Sequence, residues 1–152
     1  MQIEGLSTTS TNENTNAGST EGRIVVGVDG SEGSRRALEW AAVQAVRTDM
    51  LLEIHTVYVP GYFFVTPDEV NDIAQKLLDE AAQHAGEVAP GVTTVGKAHH
   101  DEAPSVVLID ASEGADLLVV GSRGHGGFRG LVLGSVSQKC SLHAHSPVVI
   151  VH

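Results

Sequence analysis

The chain has 152 residues, 41% of them hydrophobic and 18% charged, with one cysteine and a net charge of −10. This balance suits a single globular domain with a substantial core and excludes a disulfide-stapled scaffold or a cysteine metal cluster. The negative charge argues against a nucleic-acid-binding surface, no apolar run approaches the roughly 20 residues of a membrane helix, and the start lacks the pattern of a signal peptide, so a cytoplasmic protein is expected.

Residues 1 to 22, including TSTNENTNAGSTEG, carry almost nothing apolar and read as a disordered tail before a domain over 23–152. Arg23 to Asp29 (RIVVGVD) predicts a first strand, apolar enough for a sheet buried on both faces. Gly30 makes the turn, and Ser31 is an N-cap candidate for a helix over Glu32 to Arg47. Ala37, Leu38, Ala41, Ala42 and Ala45 give that helix one small apolar face. Leu51 to Val59 (LLEIHTVYV) predicts a second strand, broken by Pro60-Gly61 and followed by the aromatic loop Tyr62-Phe63-Phe64. Thr66-Pro67-Asp68-Glu69 reads as a capping box with proline at the first helical position. Its helix runs to about Glu87, with Ile73, Leu77, Leu78, Ala81 and Ala85 on the inner side. Val92 to Ala98 predicts a third strand, and Asp101 caps a helix from Glu102 to Ser112. Asp116 to Gly121 predicts a fourth strand, Ser135 to Ala144 a last helix, and Pro147 to Val151 (PVVIV) a final strand.

Strands and helices thus alternate five times, which predicts an α/β fold: an open five-stranded parallel sheet with helices on both faces. Ligands of such folds bind beyond the carboxyl ends of the strands. The two ends richest in glycine are Asp29-Gly30 and Gly121 to Gly134, which face one crevice if the first and fourth strands are neighbours.

The second of these is the most specific feature of the chain. Gly121-Ser122-Arg123-Gly124 is followed by nine residues and then Gly134-Ser135, between a strand and a helix start. Glycines let the backbone approach an anion, and the free N–H groups of a helix start hold it. Charge supports the reading. Residues 1–116 hold all nineteen acids against six bases, a balance of −13, whereas residues 117–152 hold no acid and three bases. An anion is repelled by most of the molecule and tolerated here. The block is not a P-loop, because GxxxxGK[ST] is absent, nor a dinucleotide fingerprint, because GxGxxG is absent after the first strand. A response-regulator acid cluster and a GxSxG nucleophile are also missing.

G-x2-G-x9-G-[S/T] after a strand, the opening VGVDGSEGS, the block ADLLVVGSRGHGGFRGLVLGSVSQ and the ending SPVVIV together resemble the universal stress protein family, in its ATP-binding branch, over residues 23–152. The resemblance implies a Rossmann-like fold of the adenine nucleotide alpha-hydrolase type and an ATP-binding regulatory protein of the stress response, with absent or slow hydrolysis and Mg2+ as an optional companion. It places Asp29 on the adenosine portion, with a backbone contact to adenine from Thr56 or Val57, of which Val57 is chosen. Val120 and Gly121 fall at the adenosine side of the glycine block, and Gly124, Gly134, Ser135 and Val136 at its phosphate end. It further implies a homodimer paired along the C-terminal strand. Beside these positions, Arg123, His125 and Arg129 carry charge that could neutralise phosphate oxygens.

Two other readings compete: an ATP-using enzyme of the same fold group, and an interaction module without nucleotide. Against catalysis stand the missing Walker lysine and the lack of any acid in the glycine block, although Asp29 could hold a metal ion with the phosphates. His99-His100-Asp101-Glu102 resembles a metal cluster only superficially, since adjacent residues rarely converge on one ion. Cys140 reads as packed, and His143 and His145 as residues placed by the last helix end.

Overall fold

A computed structural model describes residues 22–58, 66–100, 103–125 and 133–152, and among these described residues four helices connect five strands. The elements are β1 (Arg23–Gly27), α1 (Glu32–Thr48), β2 (Leu51–Tyr58), α2 (Pro67–Val88), β3 (Thr94–His100), α3 (Pro104–Ala111), β4 (Leu117–Gly121), α4 (Ser135–His143) and β5 (Val148–Val151). The expected tail, the Tyr62–Phe64 loop, Val59, Asp101, Glu102 and Arg129 lie outside the described residues. Among the described residues no helix is long and apolar enough to cross a membrane.

The sheet is wholly parallel in the order β3-β2-β1-β4-β5. β1 therefore does lie beside β4, and the chain reverses direction across the sheet at that boundary. β1 reads IVV at its centre because it is buried on both faces: Ile24, Val25 and Val26 are at most 2% exposed. Alternate residues enter two cores. Ile24, Val26, Leu52, Ile54 and Val119 meet α1 and α2, whereas Val25, Leu118 and Val120 meet α3 and α4.

Local signals set the starts of α1 and α2. The Ser31 hydroxyl accepts from the Ser34 N–H at 3.2 Å, and Thr66 and Glu69 form the full capping box. The five small residues expected on the inner face of α1 are all buried. The face of α2 is rotated from the expected one. Val70, Ala74, Leu78, Ala81 and Ala85 are buried, while Ile73 is 50% exposed. Both stripes have helical spacing, and the angle at which α2 meets α1 and the β2–β3 pair selects one.

Strand ends moved as well. β1 stops at Gly27, because Val28 and Asp29 leave the ladder toward the turn, with only the Val28 N–H still donating to the His55 carbonyl at 2.8 Å. β3 starts two residues later than expected and runs through His100, because β2 supplies partners as far as Tyr58. α3 begins at Pro104 with Ala103 at its cap and no side-chain cap bond.

One feature of β2 escapes a reading of apolar runs. Glu53 is 4% exposed within the strand. Its carboxylate accepts from Arg23 of β1 at 2.8 Å, from Lys97 of β3 at 2.7 Å and from the His55 Nε2–H at 3.1 Å. Burial pushes the Glu53 carboxyl up, but Lys97, Arg23 and His55 together outweigh it and bring the pKa down to about 2. Since Glu53 is ionised, His55 Nε2 carries a proton. Burial keeps that ring neutral, so its Nδ1 accepts from His99 Nε2–H at 3.0 Å.

Candidate functional site

The carboxyl ends of β1, β2 and β4 surround one cleft of about 460 Å3. Because β1 lies between the other two strands, the turn after β1 and the glycine block after β4 face each other across it.

Two glycines make this approach possible. A Cβ on Gly121 would sit 2.7 Å from the Gly33 carbonyl carbon and oxygen, and one on Gly33 would run into the Arg123 carbonyl oxygen. Backbone lies directly on backbone here, so the first turn of α1 and the end of β4 form a continuous wall. At the base, Leu108 of α3 packs over the bare face of Gly27, where a Cβ would meet it at 2.7 Å.

Asp29 stands at the rim of β1. Its Oδ1 accepts from the Ser31 N–H at 2.9 Å and from the Ser31 hydroxyl, and its Oδ2 accepts from the His125 N–H at 3.3 Å. Burial opposes ionisation, but the Ser31 hydroxyl and N–H, with Ser34 and the His125 N–H, hold the carboxyl below its usual range. Asp29 is an anion at neutral pH, held in place before any ligand arrives.

At the other end, Gly134 is the N-cap of α4, in an extended conformation, and no side chain caps the helix. The helix starts at Ser135, as expected from the sequence. Ser135 is the first helical residue and is exposed, because the Gly134 backbone already makes the turn. The Gly134 N–H donates to the Ser122 carbonyl at 2.6 Å, and the Ser137 hydroxyl donates to the same carbonyl at 3.1 Å. Ser122 and the start of α4 are thus tied together, while among the described residues no side chain caps the first-turn N–H groups of α4. Such an end attracts an anion.

The eight positions that the resemblance places on the nucleotide, together with Arg123, line this one cleft. Asp29 and Val57 come from the β1 and β2 ends, Val120, Gly121, Arg123 and Gly124 from the β4 end, and Gly134, Ser135 and Val136 from the start of α4. Thr56 is 3% exposed on the opposite sheet face, so Val57 is the residue that faces the cleft. His125 also lines it but differs from expectation. Its imidazole turns back, and Nε2 donates to the Asp29 carbonyl at 2.9 Å. Ser34, Leu108 and Ser137 were not anticipated. The bare Gly27 in VGVDG was the one local sign of a large side chain above it.

Elsewhere, His99 is engaged with His55, and among the described residues no three histidines, cysteines or acids cluster to hold a metal ion. Cys140 is fully buried, and burial pushes its thiol up to about 11, so it packs as an apolar group.

The model of the universal stress protein family matches residues 21–152. The chain belongs to the universal stress protein family. It is 34% identical over 143 residues to a universal stress protein of Mycolicibacterium smegmatis, covering 88% of this chain and 49% of the relative. It is 32% identical over 145 residues to the Bacillus subtilis universal stress protein YxiE, covering 85% of this chain and 97% of the relative. The chain thus spans about half the length of the mycobacterial relatives it matches, and nearly all of the Bacillus one. A crystal structure of a universal stress protein in complex with cAMP superposes with a TM-score of 0.70 at 32% identity, covering 86% of this chain and 96% of that one. The Rossmann-like α/β architecture of this universal stress protein is that of its structural relatives.

Proposed function

We propose that this universal stress protein domain binds ATP as a regulatory ligand and turns it over slowly or not at all. One observation carries the reading. A single cleft joins an ionised aspartate and a strand end at one side to a side-chain-uncapped helix start at the other, with a bare glycine wall between them. Adenosine lies toward Asp29 and the Val57 backbone, and the phosphates lie toward Gly124, Gly134, Ser135 and Val136. Arg123, exposed on the same wall, supplies positive charge. The cAMP complex of a 32% identical relative supports the ligand class.

The residues present fit a nucleotide better than they fit its cleavage. Among the described residues Asp29 is the only acid lining the cleft, and its carboxylate is committed to Ser31 and His125. No acid follows Asp116 in the chain. Among the described residues Asp29 is thus the one acid that would help phosphate oxygens hold Mg2+, and no second described acid stands beside it to activate water. Mass spectrometry of small molecules released from freshly purified protein is expected to find an adenine nucleotide. Calorimetry is expected to give a micromolar-range Kd for ATP, about −8 kcal/mol. Recovery of no adenine nucleotide together with no heat of ATP binding sinks the reading, and sustained ADP or AMP release at enzymatic rates, about one per second or more, favours an ATPase or adenylyl-transferring enzyme instead.

The same proposal includes a homodimer. β5 edges the sheet with four half-buried residues, Val148 to Val151, and an apolar edge of this kind invites pairing with another copy. Sedimentation at micromolar concentration is expected to show a dimer, and a purely monomeric boundary contradicts it.

A further inference from the structure

We infer that His125 is a positioning residue that latches the two halves of the cleft together and presets Asp29 for the nucleoside end of the ligand. The inference rests on the nucleotide reading above and adds a residue that reading does not use. A charged or neutral histidine in a phosphate-binding loop is expected to face the phosphates, yet here the ring points the opposite way. A carbonyl oxygen can only accept, so the 2.9 Å contact with the Asp29 carbonyl puts a proton on His125 Nε2. The same residue's backbone N–H reaches Asp29 Oδ2 at 3.3 Å. His125 therefore grips both the main chain and the side chain of one residue, 96 positions away, across the mouth of the cleft.

The glycine beside it explains how. A Cβ on Gly124 would lie 2.7 Å from Asp29 Oδ2, so the loop passes the carboxylate with no side chain in between and delivers His125 behind it. The ring then rests over Gly30, where a Cβ would be 3.8 Å from Nε2. With Ser31 holding Oδ1 and His125 holding the carbonyl, the Asp29 backbone and carboxylate are both oriented without ligand. Binding then spends less on ordering this end.

A latch on Asp29 acts on whatever the aspartate touches and is indifferent to phosphate number. That separates it from a direct phosphate contact. Titrating ATP, AMP and adenosine into the full chain and into His125→Ala and His125→Gln variants tests it. His125→Ala is expected to weaken all three ligands by the same factor, roughly three- to tenfold, the worth of one exposed hydrogen bond. His125→Gln, whose amide can donate to the same carbonyl, is expected to recover most of the loss. A loss confined to ATP and AMP, unchanged affinities, or a glutamine variant no better than alanine overturns the latch. A second readout needs no ligand. In nitrogen-15 spectra of the free protein at neutral pH, His125 is expected as the Nε2–H tautomer, and the Nδ1–H tautomer overturns the contact. A wild-type chain that shows this tautomer but binds none of the three ligands refutes the nucleotide reading and leaves the latch standing as a structural contact.

Discussion

Gly124→Asp is expected to abolish ATP binding, with Kd rising at least about 100-fold, or about 3 kcal/mol. The new side chain begins where a Cβ is already 2.7 Å from Asp29 Oδ2. It brings a second carboxylate against one that is ionised, and into the cleft that faces the start of α4, which no side chain caps. Repulsion of the phosphates and displacement of Asp29 act in the same direction. Gly124 is exposed, so the fold should survive. Ser135→Glu provides the complementary test. Ser135 is the first residue of α4, where a negative side chain favours the helix dipole, so stability should hold or rise slightly while the phosphate end is blocked. Calorimetry paired with thermal unfolding checks both. If both variants bind ATP as the parent does, the phosphates do not lie at this loop.

Glu53→Ala is expected to cost about 3 kcal/mol of stability and lower Tm by about 10 °C. Removing the carboxylate leaves Arg23 and Lys97 without their shared partner and the His55 Nε2–H buried without its acceptor. The value sits at the low end for a broken buried pair because Arg23 and Lys97 are 29% and 47% exposed at the side chain and can turn to water. The same cluster sets a pH dependence. Glu53 binds its proton less readily folded than unfolded, so its contribution is complete above the ordinary carboxyl value of 4.5. It declines as pH falls below that value and is gone once pH passes about 2. Urea midpoints measured from pH 7 to 2 are expected to fall more steeply for the parent than for Glu53→Gln. Parallel curves would show that the Glu53 charge contributes nothing.

Much of this protein is legible one segment at a time. The IVV centre of β1, the small-residue face of α1 and the capping box of α2 each follow from patterns a few residues long. Their boundaries do not, because ends are set by partners: His100 is in β3 only because Tyr58 lies opposite it. The inner face of α2 was misread at Ile73 for the same reason, since two stripes of equal spacing compete and only packing against α1 and the sheet decides between them.

The candidate site divides along the same line. The glycine spacing after β4, the absence of acids beyond Asp116 and the aspartate ending the first strand's run are properties of the sequence itself, and together with the family resemblance they pointed to nine of the residues that line the cleft. Tertiary structure alone decided that Gly33 and Gly121 lie backbone to backbone, that Val57 rather than Thr56 faces inward, that His125 turns to Asp29, and that Glu53 is surrounded by Arg23, Lys97 and His55. Periodicity and capping are interactions between residues a few positions apart and so leave a trace in the local sequence. The latch joins residues 96 apart and the Arg23–Glu53 pair residues 30 apart, and contacts of that span come into being only when the strands take the order β3-β2-β1-β4-β5.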